Sequence, residues 1–130
     1  MKYFLFIVFS VILFGCKKDN DDEPLNQTVE VTYIIETTVT GFSEVKYMEW
    51  ERTNGHAYKT WPITSPGTYT VKTNIPKGTG AEISARHPSS NSFKVILKGS
   101  DGSIINESTT ITFYAGPPSY YYGRALGTAK

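Results

Sequence analysis

Thr28-Val29-Glu30-Val31-Thr32-Tyr33-Ile34-Ile35-Glu36 is the stretch that decides the fold. Val29, Val31, Tyr33 and Ile35 fall on one side of a period of two, and Glu30, Thr32 and Glu36 fall on the other. That is the pattern of a strand with one buried face. The same period continues along the chain. Val45 to Arg52 reads as a second strand, and Asn54-Gly55 as a hairpin turn into Ala57–Trp61, which Pro62 ends. Beyond the Ser65-Pro66-Gly67 turn, Tyr69, Val71 and Thr73 share a face. Ala81, Ile83 and Ala85 then alternate with Glu82, Ser84 and Arg86, and Phe93, Val95 and Leu97 alternate with Lys94 and Lys98. Asp101-Gly102 turns the chain into Ser103–Asn106. Thr109–Tyr114 is the last expected strand, because neither Pro117 nor Pro118 can donate to a ladder. No segment carries a helical period. Short strands with turn signals every eight to twelve residues predict an all-β fold, a single small antiparallel β-sandwich (Ig-like) of seven to eight strands. The expected core is Val31, Tyr33, Ile35, Val45, Tyr47, Tyr69, Val71, Ile83, Ala85, Phe93, Val95, Leu97, Ile111 and Phe113.

Upstream of this domain the chain has a different character. Lys2 precedes an apolar run from Tyr3 to Phe14, followed by Gly15 and the single cysteine, Cys16. Twelve residues at about 1.5 Å each are too short to cross a hydrocarbon core of roughly 30 Å, but they suit the apolar segment of a signal peptide. The ending Leu13-Phe14-Gly15-Cys16 resembles the lipobox of bacterial lipoproteins. That resemblance implies cleavage before Cys16, a diacylglyceryl group on its sulfur and acylation of the new N-terminus. Residues 1–15 are then a lipoprotein signal peptide, and residues 16–27 a lipidated cysteine with a flexible, acidic tether (Asp19, Asp21, Asp22, Glu23) that has little to bury. Residues 28–114 form the sandwich and residues 115–130 a Pro/Tyr-rich C-terminal tail. In enteric lipoproteins an Asp directly after the cysteine marks retention at the inner membrane; Lys17 stands in that place, so the resemblance implies the outer membrane, on its periplasmic face or at the cell surface.

Thirteen Lys and Arg stand against twelve Asp and Glu, and loss of Lys2 brings the balance close to zero. Phosphate neutralisation needs a concentrated basic face, so no nucleic acid partner is expected. One cysteine excludes an intramolecular disulfide and a cysteine metal site, and no cofactor or metal is expected. His56 and His87 have no acidic or histidine neighbour at ligand or triad spacing. No nucleophile elbow or phosphate-binding glycine loop is present. Glu49 and Glu51 share a strand face about 7 Å apart, a spacing found in carboxylate-pair glycosidases and, more commonly, on any solvated strand. The sequence therefore predicts a non-enzymatic protein with no catalytic residue.

The aromatic content, 14% with nine tyrosines, suits a β protein and supplies the candidate binding residues. Trp50, Trp61 and Tyr58 surround the Asn54-Gly55 turn, and Tyr120-Tyr121-Tyr122 lies beyond the Pro-Pro break. Such side chains bury much area at low entropy cost and keep a polar tip, which favours interfaces and stacking on sugar rings. Trp50 and Trp61 are candidate cross-strand neighbours, with burial of at least one of them as the competing reading. The tail has three readings: it covers a sheet edge, docks on a partner, or ends loosely.

Val31-Thr32-Tyr33, Gly41, Val45-Lys46-Tyr47, Asn54-Gly55, Trp61-Pro62, Ile83-Ser84-Ala85, Val95-Ile96-Leu97 and Asp101-Gly102 follow one another in an order that resembles the MmpS-type proteins, small β-sandwich accessory partners of membrane lipid exporters. Trp61 precedes the proline here, where the family has the reverse order, and the family's cysteine pair is absent. The resemblance implies a membrane-associated accessory role without catalysis. The expected function is thus a lipid-anchored cell-envelope lipoprotein that acts as an interaction or accessory module of an envelope protein complex. The alternative is a glycan-binding module that uses Trp50, Trp61 and Tyr58.

Overall fold

The computed structural model describes residues 27–108 and 111–130. The signal-peptide, Cys16 and acidic-tether expectations lie outside the described residues. Nine strands follow in order: β1 (Thr28–Thr37), β2 (Glu44–Glu51), β3 (Gly55–Thr60), β4 (Gly67–Pro76), β5 (Gly80–His87), β6 (Phe93–Lys98), β7 (Ile104–Glu107), β8 (Thr112–Tyr114) and β9 (Tyr120–Thr128). They form two antiparallel sheets, β4-β1-β6-β7 and β3-β2-β5-β9-β8, packed face to face. The all-β sandwich expected from the alternation is what the chain forms.

β1 lies inside the four-stranded sheet, paired with β4 along its whole length and with β6 over its second half. Its alternate residues Val31, Tyr33 and Ile35 are fully buried, as the period of two requires. β5 is central in the other sheet, and Ala81, Ile83 and Ala85 point from it into the same core. Tyr33 crosses the core. Its ring is fully buried, and its hydroxyl donates 2.7 Å to the Met48 carbonyl of β2 in the opposite sheet. A buried phenol without that acceptor would carry the full cost of desolvation. The β2–β3 hairpin closes through a loop at residues 52–54, and Gly55 follows at φ +71°, in the left-handed region that the Asn-Gly pair signals.

The C-terminal residues correct the expected domain boundary. The sandwich does not end at residue 114, because Tyr120–Thr128 forms β9, which pairs with all eight residues of β5. The strand expected at the end is the edge strand β8, only three residues long, and β9 lies between it and β5. β9 turns small residues inward. A methyl group at Gly123 would meet Ile111 and Phe93 at 2.7 and 2.9 Å, and one at Gly127 would meet Ile105 Cγ2 at 2.3 Å. Phe93 and Ile105 from the facing sheet, with Ile111 from just before β8, fill the space these glycines leave, so this strand shows no alternation of large apolar residues. Phe113, expected in the core, is 52% exposed beside Tyr121 at the β8 edge. Ile75, Ala81 and Ala125 complete the core in its place.

Candidate binding face on the five-stranded sheet

The pairing registers fix which side chains share the outer face of the five-stranded sheet. Lys46 faces Thr60 and Ser84, Met48 faces Tyr58, and Trp50 faces His56. Across β5, Ser84 faces Arg124 and Arg86 faces Tyr122. Across β9, Tyr120 faces Tyr114. Residues two apart stay on one side of a strand. The outer face therefore carries Trp50, His56 and Tyr58 on β2 and β3, and Tyr114, Tyr120 and Tyr122 on β8 and β9, with Arg86, Arg124 and Glu82 between them. At about 4.8 Å per strand, β3 and β8 are separated by roughly 19 Å.

A polar network fills the middle of this face. The Glu82 carboxylate is 6% exposed and accepts from the Tyr58 hydroxyl at 2.9 Å and the Arg124 guanidinium at 2.8 Å. Burial pushes the Glu82 carboxyl up, but the bonds from Arg124 and Tyr58 outweigh it and hold the group below the usual carboxylate value. To reach β5 from β3, Tyr58 must lie over β2. This accounts for the burial of Met48, which is 7% exposed on an outward-facing position. The Lys46 ammonium sits 5.2 Å from the centre of the same Tyr58 ring. Nearer the β2–β3 turn, Trp50 and His56 meet edge to face at 5.2 Å.

The far end of the face is an aromatic and cationic cluster. Tyr114 and Tyr120 stack at 5.1 Å, and Tyr122 meets Tyr114 edge-on at 6.0 Å. The Arg86 guanidinium lies 5.1 Å from the Tyr120 ring and 5.7 Å from the Tyr122 ring, with its Nε 3.5 Å from Glu44. Arg86 Nε is itself buried and has no hydrogen-bond partner among the described residues. Trp50, Tyr58 and Tyr114 are 38%, 49% and 44% exposed, so the face offers ring area to solvent at both ends.

Of the expected binding residues, Trp50, Tyr58, Tyr120 and Tyr122 come together on this face. Trp61 and Tyr121 do not. Trp61 packs inward at the open side of the sandwich, edge-on to Tyr47 at 5.8 Å and to Tyr69 at 6.2 Å, and Tyr121 packs against the core. The expected Trp50–Trp61 neighbourhood fails for a reason of register. Trp61 lies opposite Val45, donating 2.8 Å to its carbonyl, an odd number of residues from Trp50 and hence on the other side of the sheet. Tyr114, Arg86, Arg124, Met48 and Glu82 belong to the face and were not singled out from the sequence. Their alternation was visible, but their adjacency depends on registers that the sequence does not state.

The other candidate groups have local partners. His87 is 5% exposed. Its Nδ1 accepts from the Ser89 and Ser90 amides at 3.1 and 2.9 Å, which leaves Nε2 to donate 2.7 Å to the Thr40 carbonyl. It ties two loops together. Glu49 accepts from the Tyr47 hydroxyl, and Glu51 pairs with Lys59 at 2.7 Å, a contact that lowers the Glu51 carboxyl from its ordinary value. Among the described residues, no three His, Cys, Asp or Glu lie close enough to hold a metal ion. A groove of about 470 Å³ opens beside Phe93 and Ile111, and its two charged residues, Lys94 and Glu107, satisfy each other at 2.7 Å.

No protein-family model matches the chain, and no curated protein or solved structure is detectably similar to it.

Proposed function

We propose that this protein is a lipid-anchored, non-catalytic lipoprotein of the cell envelope that captures its partner on the outer face of the five-stranded sheet. One observation carries the reading. Four of the six candidate aromatic residues, drawn from widely separated parts of the chain, converge on one side of one sheet, with arginines and a methionine between them. Tyr, Trp, Arg and Met are the residues that dominate interface energetics. The signal-like residues 1–16 supply the anchoring half of the reading, with Cys16 as the acylated residue and the outer membrane as its location.

The accessory role in an envelope complex and the glycan-binding role use the same face. Loss of Trp61 from the exposed set leaves Trp50 and Tyr58 as the sugar platform of the second role, extended by Tyr114, Tyr120 and Tyr122. The test has two parts. Cys16→Ser should leave an uncleaved precursor away from the outer membrane, and normal processing of that variant refutes the anchor. Gentle-detergent purification of the native protein with cross-linking should recover a partner that Tyr58→Ala and Trp50→Ala release. Retention of the same partner by both variants refutes the face.

A further inference from the structure

We propose that the Arg86 end of this face is a recognition site for a sugar acid, a uronate unit of an acidic polysaccharide; the proposal rests on the outer face being the binding face. Arg86 is the observation that leads to it. Its guanidinium is held against two tyrosine rings, Tyr120 and Tyr122, at 5.1 and 5.7 Å. Its one ionic contact is Glu44 at Nε, 3.5 Å away, and no side chain or carbonyl among the described residues accepts a hydrogen bond from its terminal nitrogens. Arg124, the neighbouring cation on the face, is occupied by Glu82 at 2.8 Å. Arg86 is thus oriented by its aromatic neighbours while its planar fork of donors stays unfilled, and that fork matches a carboxylate in two parallel bonds.

The surroundings favour a sugar as the bearer of that carboxylate. Tyr120 and Tyr122 flank the guanidinium, and Tyr114, which packs on both and is exposed, offers a ring that suits the C–H side of a pyranose and a phenol hydroxyl that gives and accepts hydrogen bonds to ring hydroxyls. The site lies on an open sheet face rather than in a closed cavity, so a chain of sugar units can run on along the strands toward Tyr58, which meets Glu82 four residues from Arg86 on β5, roughly 13 Å away. Charge is complementary. Lys46, Arg86 and Arg124 stand on the face against Glu44 and the buried Glu82.

The test uses the protein purified from its own membranes in detergent micelles and three probes of equal length: a galacturonic acid hexamer, a neutral glucose hexamer and hexaglutamate. The expected result is saturable binding of the galacturonic acid hexamer that weakens with salt, with little binding of the other two. Arg86→Gln should weaken it roughly ten- to hundredfold, the loss expected for a charge-assisted pair. Arg86→Lys, which keeps the charge and loses the fork, should fall between. Tyr120→Ala should weaken it at an unchanged melting temperature. Equal affinity for hexaglutamate overturns the sugar assignment, and unchanged binding by Arg86→Gln and Arg86→Lys overturns the site. Failure of the hexamer to bind while Tyr58→Ala still releases the cross-linked partner overturns this inference alone. Failure of both overturns the binding face as well.

Discussion

Gly127→Ala tests the placement of β9, the element on which half of the proposed face stands. A methyl at this position would lie 2.3 Å from Ile105 Cγ2, 3.3 Å from Leu97 Cδ2 and 3.6 Å from Ile105 Cβ. Ordinary carbon contacts begin near 3.5 Å, so the closest pair must separate by more than 1 Å. Ile105 is β-branched and stiff at χ1, so its Cγ2 cannot swing aside without moving β7. Two effects oppose each other. Alanine restricts the unfolded chain and lends a strand about 0.4–1 kcal/mol over glycine, whereas overpacking a filled core costs about 1–3 kcal/mol. The clash wins by about 1–2 kcal/mol, a fall in melting temperature of roughly 4–16 °C for a domain of this size. Gly80→Ala is the control. It lies in the facing strand with nothing within 4 Å of the added methyl, and should be neutral or slightly stabilising. Ile105→Ala removes Cγ2 and with it the 2.3 Å clash, leaving the 3.3 Å contact with Leu97 and the 3.6 Å contact with Cβ, so the double variant should be more stable than the two single losses summed predict. Thermal melts followed by circular dichroism decide it. If Gly127→Ala melts with the wild type, residues 120–128 do not pack beneath β7, and the face loses Tyr120, Tyr122 and Arg124.

Three further outcomes follow from the packing. Trp61→Ala should cost about 2–3 kcal/mol by urea titration, because the ring wedges between Tyr47 and Tyr69, whereas Trp50→Ala should leave the midpoint within error. The reverse order would show that the faces are misassigned. Burial holds the Tyr33 phenol well above its ordinary range, so its contribution is fully present below the unfolded value near pH 10 and is lost as the pH rises beyond it. Tyr33→Phe should cost about 0.5–1.5 kcal/mol at neutral pH and flatten the alkaline loss of stability. The Glu82 carboxyl lies below its ordinary value. Its contribution is therefore present above the unfolded value near pH 4.5 and is lost as the pH falls through the folded one. Glu82→Gln should shallow the decline in stability below pH 5, and an unaltered acid profile would show that Arg124 and Tyr58 do not hold the charge.

The fold was legible wherever burial demanded large side chains at every second position. β1, β5 and β6 each carry such a run, and each is an interior strand with one face in the core. β9 is just as interior, yet its sequence reads as a tail. Its inward positions include Gly123, Ala125 and Gly127, whose space is taken by Phe93, Leu97 and Ile105 from the opposite sheet, so the period of two is written in the partners and not in the strand. Pro117-Pro118 added a stop signal that the chain obeys for only a few residues before it turns back beside β8. The site was legible by residue type and illegible by geometry. Which of three consecutive tyrosines face outward is fixed by the β5 register, in which Tyr122 meets Arg86 and Tyr121 meets His87. Tyr58 reaches Glu82 only because β2 lies between their strands.

The same registers relate the face to the point where the chain enters the sandwich. β1 begins at Thr28, opposite Pro76 of β4, and the turn after β4 bonds through Gly78 to Ala129, just past the end of β9. Gly80 and Thr128 therefore mark the entry pole of the five-stranded sheet, and Arg86 with Tyr122 lies six residues along β5, roughly 20 Å away. An acyl anchor at Cys16 would connect to the entry pole through residues 17–27, a span of up to about 36–40 Å when extended. That reach exceeds the roughly 20 Å between the two poles, so a tether of this length lets either end of the face meet a partner, and the cationic Arg86 end is the one whose charge steers an anionic polymer.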